Sequence, residues 1–238
     1  MAELVTRDGF AKYYESSQFA ERVKLPPHAN FHHYRIERWD GSFVRFAKTI
    51  RSVRQLVQWV SEQVPRNVYF TPTEWLDPSN VRRSRGRVSN YLLSSSLYFD
   101  IECEDGSISS AARVTSNVIS YVARTRGRDP SWVIFSGRRG FHIYYWSWDD
   151  IPQKYGLSQD RIQQFVLTRK SIVQELEERG MHVDRAVTAD PWRIMRLPGT
   201  LHGDTGLVAV CVSDPLSFSL EQANLPQEID RKQIGTKS

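Results

Sequence analysis

From Tyr34 to Val212 the apolar positions alternate between a spacing of two and a spacing near 3.6, which predicts short strands interleaved with amphipathic helices. Arg7 to Phe19 can form a short helix ahead of this region. Tyr34 to Trp39 and Ser42 to Phe46 flank Asp40-Gly41, a two-residue turn signal, and read as a hairpin. Val53, Leu56, Val57 and Val60 then recur at helical spacing, and Asn67 to Phe70 reads as a buried strand. Together these predict a small N-terminal α/β lobe.

Asp77 to Tyr91 interrupts the pattern with Pro78, Ser79, Asn80, Gly86, Ser89 and Asn90. Its arginines Arg82, Arg83, Arg85 and Arg87 read either as a solvated loop or as a clamp on nucleic-acid phosphates. Beyond it, Leu97 to Ile101 predicts a strand and Ser109 to Arg124 a helix. Trp132 to Phe135 and Phe141 to Trp146 follow as two strands joined by a glycine-containing turn. Asp160 to Arg179 is a second amphipathic helix, and Arg193 to Leu197 and Leu207 to Val212 are further strands. Strand, helix, strand, strand, helix, strand is the order of a ferredoxin-like, or RNA-recognition-like, βαββαβ lobe. The expected organisation is an N-terminal lobe with its basic loop over 1–91, a catalytic lobe over 92–225 and a polar tail or linker over 226–238. The fold class is mixed α/β (α+β), and such folds carry many functions, so the residues at the strand ends must decide the activity.

Composition narrows the field modestly. Aromatic residues make up 12% of the chain and hydrophobic residues 40%, enough for a packed core, while a mean hydropathy of -0.49 argues against membrane residence. Lys plus Arg number 32 against 27 Asp plus Glu, a net charge of +5 that suits a polyanionic partner without requiring one. Met1 to Tyr14 lacks the pattern of a secretory signal. Two isolated cysteines, Cys103 and Cys211, build neither a zinc cluster nor a disulfide framework and fit a reducing compartment, the cytoplasm or, in a eukaryotic cell, the nucleus.

Three segments carry candidate chemistry. In Leu97-Tyr98-Phe99-Asp100-Ile101-Glu102, two carboxylates spaced by two project to the same face of a strand, an arrangement that a divalent cation relieves of its repulsion. A pair of solvated acids is the ordinary alternative. In Ser136-Gly137-Arg138-Arg139-Gly140-Phe141-His142, a turn with two glycines, a hydroxyl and paired arginines offers donors to an anion, where the ordinary reading is an exposed hairpin. The third segment places Asp184 after the second helix and then Arg196 and His202 around a Pro-Gly turn.

In this order the three segments resemble the small catalytic subunit of archaeal and eukaryotic DNA primases, in the archaeo-eukaryotic primase superfamily. The family pattern of an acid pair, Ser-Gly-x-x-Gly-x-His, an Asp with Val-Thr following, and Leu-Pro-x-x-Leu-His-Gly-x-Thr-Gly-Leu is met by Asp100 to Glu102, Ser136 to His142, Asp184 to Thr188, and Leu197 to Leu207. Weaker likeness extends upstream through Pro26-Pro27, the Asp40-Gly41 hairpin with Arg45, and Asn67-Val68-Tyr69. The resemblance implies a primase–polymerase fold and template-directed nucleotidyl transfer with two Mg2+ or Mn2+ ions. It implies Asp100, Glu102 and Asp184 as catalytic metal ligands, and Ser136, Arg138, Arg139, His142, Arg196 and His202 as nucleotide-binding residues. Arg35 or Arg38 would also approach the nucleotide. The implied partners are single-stranded DNA template and nucleoside triphosphates, with a larger primase subunit or a fused helicase domain as further candidates. Glu102 departs from the usual second Asp, and no cysteine cluster for zinc is present. The stretch from His142 to Asp184 is short, so accessory surfaces look stripped.

Within the class, a polymerase that only extends ends is the runner-up. Outside it stand a two-metal nuclease, for which the arginine-rich turn has no use, and a non-catalytic binding module, which would carry exposed aromatics where this chain carries acids. Trp75 is a candidate for stacking on bases.

Overall fold

The computed structural model describes residues 5–81, 90–94, 96–148 and 158–225. The elements are α1 (Arg7–Glu15), α2 (Ser17–Arg22), β1 (Tyr34–Glu37), β2 (Phe43–Arg45), α3 (Val53–Gln63), β3 (Asn67–Phe70), β4 (Glu74–Trp75) and β5 (Leu92–Ser94). They continue with β6 (Leu97–Ile101), α4 (Ile108–Arg126), β7 (Trp132–Phe135), β8 (Phe141–Tyr145), α5 (Ser158–Glu177), α6 (Arg185–Thr188), β9 (Met195–Arg196) and β10 (Val210–Cys211). The expected mixed α/β architecture is what forms.

One antiparallel sheet has the order β2-β1-β3-β9 and a second the order β10-β7-β8-β6, with β4 and β5 as a separate pair. In the second sheet β8 lies between β6 and β7, so β6-α4-β7 is a split βαβ unit, as the element order predicts. The strand expected at Arg193–Leu197 shrinks to two residues and pairs with β3, edging the first sheet rather than the second. The second sheet takes β10 as its edge instead.

Alternation explains the layering. On β1 and β3, Tyr34, Ile36, Val68 and Phe70 point inward, joining Phe10, Tyr13, Tyr14 and Phe19 from the N-terminal helices. That same core takes Tyr98, Ile134 and Tyr144 from the second sheet. The opposite face of the second sheet, with Phe99, Ile101, Val133 and Ile143, packs on Ala111, Val118 and Val122 of α4 and on Val173 and Leu176 of α5. One face of the second sheet is thus covered by helices and the other by the first lobe.

Two local expectations change. The helix expected over Arg7–Phe19 breaks at Ser16, whose extended backbone (ψ 153°) ends α1 while its Oγ accepts from Phe19 N to cap α2. The hairpin closes through a three-residue loop: Arg38 N donates to Ser42 O, Gly41 N donates to Arg38 O, and Gly41 takes the left-handed conformation (φ +81°).

Candidate active site

β6 and β8 pair so that Asp100 lies directly opposite His142. Both project from the face of the second sheet that looks toward the first sheet, at the end where the packed aromatics Tyr98 and Tyr144 give way to an open cleft. That cleft, about 540 Å3 with its solvent, is lined by Asp100, Glu102, Ser136, Arg138 and His142 from one side and by Tyr69, Arg193, Arg196 and His202 from the other.

The acid side is electrostatically strained. Burial, then the neighbouring Glu102, raises the pKa of Asp100 to about 7; Asp184 adds to this and Arg193 opposes it. His142, its Nε2 3.6 Å from Asp100 Oδ1, is pushed down to about 3 by burial and by Arg196 and Arg193, so the contact is one of a neutral imidazole with the acid. Glu102 is turned onto Arg139, with Oε2 3.0 Å from Nε. Asp184 is tied to β6 by its N–H, which donates to the Asp100 carbonyl (2.9 Å), but its carboxylate accepts from Val187 N as the cap of α6. Among the described residues, no three His, Cys, Asp or Glu side chains are grouped to hold a metal ion. The chemistry of the donor set nonetheless suits hard divalent cations. These are oxygen ligands of which one, Asp100, has its pKa raised by burial and by its acidic neighbours, while Glu102 rests on an exposed ion pair.

The turn between β7 and β8 is built by its glycines. A Cβ at Gly140 would lie 2.4 Å from Ile101 O and 2.8 Å from Glu102 Cγ, so only glycine lets the turn close against the end of β6. Gly137 (φ +89°) abuts His202 Cβ at 2.9 Å from an added Cβ, and its carbonyl accepts from Thr205 Oγ1. The Ser136 hydroxyl is buried and has no hydrogen-bond partner among the described residues, as has Arg193 Nε. Both are donors at the cleft. Arg138 is exposed and lines the cleft, whereas Arg139 does not line it and serves Glu102 instead.

His202 Nδ1 accepts from Asp204 N (3.1 Å), which leaves its proton on Nε2. Burial and the surrounding arginines, Arg196 first, push its pKa down to about 3, so it is a neutral N–H donor. The stretch carrying it rests on the N-terminal helices. Tyr13 OH donates to Gly199 O (2.7 Å), and a Cβ at Gly199 (φ +85°) would lie 2.4 Å from Val23 Cα.

The register of the first sheet sets Arg45, Arg35, Tyr69 and Arg196 in one cross-strand row, with Phe43, Glu37 and Asn67 on the next row of the same face. Arg35 is held by neutral partners, its Nε donating to His33 Nε2 (2.7 Å) and Nη2 to Val81 O (3.4 Å). The Arg196 guanidinium lies over the Tyr69 ring, 5.3 Å from its centre, and Phe43, 52% exposed, lies 6.0 Å from Tyr69.

The structure thus brings Asp100, Glu102, Ser136, Arg138, His142, Arg196 and His202 to one cleft, with Asp184 behind Asp100. The expected clamp of Arg82, Arg83, Arg85 and Arg87 lies outside the described residues. Trp75 is a core residue instead of a base-stacking one: it is fully buried, stacks on Trp192 and donates its indole N–H to Thr73 Oγ1 (2.9 Å). Tyr69, Asn67 and Arg193 are additions. Strand alternation, with Val68 and Phe70 buried, could have marked Tyr69.

No family model matches the chain. Among curated relatives, the DNA primase small subunit of Pyrobaculum calidifontis is 26% identical, the match covering 73% of this chain and 68% of the relative. That of Sulfolobus acidocaldarius is 24% identical over 88% of this chain and 76% of the relative. Among solved structures, the polymerase domain of Mycobacterium tuberculosis Ligase D in complex with DNA superposes with a TM-score of 0.59 at 17% identity, covering 92% of this chain and 87% of that one. No helix among the described residues is long and apolar enough to cross a membrane. The chain is therefore a distant homologue of the archaeal DNA primase small subunits, built on the primase–polymerase fold.

Proposed function

We propose that the protein is a template-directed nucleotidyltransferase, a DNA primase or primase–polymerase, acting on single-stranded DNA with nucleoside triphosphates. One observation carries this reading: a single cleft has carboxylates on one wall and cationic or N–H donors on the other. A nuclease needs the first wall only. A polymerase must also hold a triphosphate, which requires the second.

In this reading Asp100, Glu102 and Asp184 hold two divalent ions, Mg2+ or Mn2+. Bound there, such ions lower the pKa of an attacking 3′-hydroxyl and offset the charge of the departing pyrophosphate. The chain's own residues orient the substrate. Ser136 Oγ–H, Arg138, Arg196 and His202 Nε2–H donate to the phosphates, where charge grows as the reaction proceeds. His142 keeps a neutral ring beside Asp100. The open face of the first sheet, with Arg35, Arg45 and Phe43, offers phosphate contacts and a stacking surface to the template, largely regardless of sequence. The arginines of residues 82–87 are proposed to extend that track. A larger primase subunit is a proposed partner because the relatives are named small subunits. The site of action would be the cytoplasm, or the nucleus of a eukaryotic cell.

The test is incubation with unprimed and primed single-stranded DNA, each nucleotide type and Mg2+ or Mn2+. Newly made strands on the unprimed template and lengthened primers on the primed one, both dependent on Asp100, are expected. Shortened strands in the absence of nucleotides would replace this reading with the nuclease one. Extension of primed strands alone would restrict it to an end-extending polymerase.

A further inference from the structure

Asn67 is 6% exposed, behind Arg196 on the first-sheet side of the cleft, and its side-chain amide makes three hydrogen bonds. Oδ1 accepts from Arg196 Nη1 and from Gly203 N (2.8 Å), while Nδ2 donates to Glu37 Oε2 (2.7 Å). Arg196 and the Gly203 backbone N–H can only donate and the carboxylate can only accept, so the amide has one orientation. Flipped, it would set an NH2 group against two donors and an oxygen against a carboxylate. Glu37 also faces Arg66, 3.8 Å away, and Arg66 pairs with Asp204. Gly203 is seated so closely that a Cβ would lie 2.8 Å from Asn67 Nδ2 and 2.5 Å from Arg66 Cγ.

The groups joined here are remote in sequence and adjacent at the cleft. Arg196 is 129 residues from Asn67 and Gly203 is 136, and Gly203 follows His202 directly. Arg196 is almost fully buried and also donates to a carbonyl, Leu201 O (3.3 Å). A neutral amide fixes the guanidinium without cancelling its charge, leaving that charge for an anionic ligand. A carboxylate in the same place would consume it.

We propose that Asn67 is a positioning residue of the nucleotide site, holding the Arg196 guanidinium and the His202 backbone in register for a triphosphate, with Glu37 fixing its amide. This rests on the reading of the cleft as a triphosphate site. The role is on phosphate binding, so its loss shows with a triphosphate and not with a monophosphate, which distinguishes it from general softening of the wall.

The experiment is calorimetric titration of the whole chain, in Mn2+, with a nucleoside triphosphate and with the matching monophosphate. Asn67→Ala is expected to weaken triphosphate binding about 10- to 150-fold, as for a lost hydrogen bond to a charged group. Monophosphate binding should stay within about two-fold, no more than the smallest loss expected of a neutral hydrogen bond. Asn67→Asp keeps both accepted bonds, loses the one donated to Glu37 and pairs with Arg196, and should weaken the triphosphate too. Glu37→Gln retains an acceptor for Nδ2 and should bind close to wild type. Unchanged triphosphate affinity in a folded Asn67→Ala or Asn67→Asp protein overturns the positioning role, as does equal loss of both ligands. A wild-type protein that binds neither ligand overturns the underlying reading of the cleft, a different result from a wild type that binds and a variant that binds equally.

Discussion

The two walls of the cleft are held in opposite ways. The first-sheet wall is held around Asn67 by satisfied hydrogen bonds: Arg196, Asn67, Gly203 and Glu37 each have partners of the right polarity, and a Cβ at 203 would press on the Arg66 and Asn67 side chains. The acid wall is unfinished. Asp100 is held near pKa 7, Glu102 rests on an ion pair whose two side chains are 43% and 41% exposed, and Asp184 is occupied by a helix cap. A wall that binds phosphates gains from being rigid before the ligand arrives, because no reorganisation is then needed. A wall that binds cations cannot be finished in advance, because bare carboxylates repel until the charge between them comes.

The largest test of this contrast is at Asp100. Asp100→Asn should abolish nucleotide addition and yet raise the melting temperature in chelator at pH 8. The sign follows from linkage: the folded pKa, about 7, lies above the unfolded value of about 3.9, so ionisation opposes folding. The gain from Asn is therefore full above pH 7 and fades to nothing below about pH 4, where both states are protonated. Adding Mn2+ should raise the melting temperature of the wild type and leave the variant unmoved. A lower melting temperature for the variant in chelator would mean that the acid wall is not strained.

Gly140→Ala comes next. Forcing a methyl to 2.4 Å from a backbone carbonyl should cost about 1–3 kcal/mol in urea unfolding and displace Glu102, reducing activity along with stability. Phe43→Ala, on the open sheet face, should leave stability alone and weaken single-stranded DNA by roughly 5- to 150-fold in anisotropy, the range for losing one stacked base. The smallest effect belongs to Arg139→Ala. An exposed ion pair contributes under about 1 kcal/mol, so the fold should be indifferent. Freed of its partner, Glu102 should respond to Mn2+ at a concentration a few-fold lower in the activity titration.

Much of the acid wall was legible in the sequence because it is local. Asp100 and Glu102 sit two apart on a strand whose alternation is plain, and the turn from Ser136 to His142 announces itself by its glycines. The opposite wall is assembled from pieces that carry no local signal. β9 is two residues long, and nothing in Arg193 to Leu197 says which sheet it joins. Asn67 stands in the upstream stretch of weaker likeness, but nothing local says what it holds until Arg196 and Gly203 arrive from more than a hundred positions away. Trp75 misled for the opposite reason: an indole beside a loop suggests an exposed platform, but Thr73 supplies the hydrogen-bond acceptor that lets it be buried. The break at Ser16 was hidden because a serine inside a helical pattern and a serine capping the next helix look alike until the backbone turns.

The seat of Gly199 against Val23, with Tyr13 reaching its carbonyl, has a consequence for the order in which the molecule is made. A hydrogen bond spanning 186 residues cannot form until most of the chain exists. During synthesis the first two helices can pack on β1, β3 and α3 early, but Tyr13 waits for its Gly199 partner until residue 199 has emerged. Closing so long a loop is slow relative to local pairing. The His202 side of the cleft is thus among the last parts to be completed, and a chain that ends before Pro198 lacks the stretch that seats His202 against the first two helices.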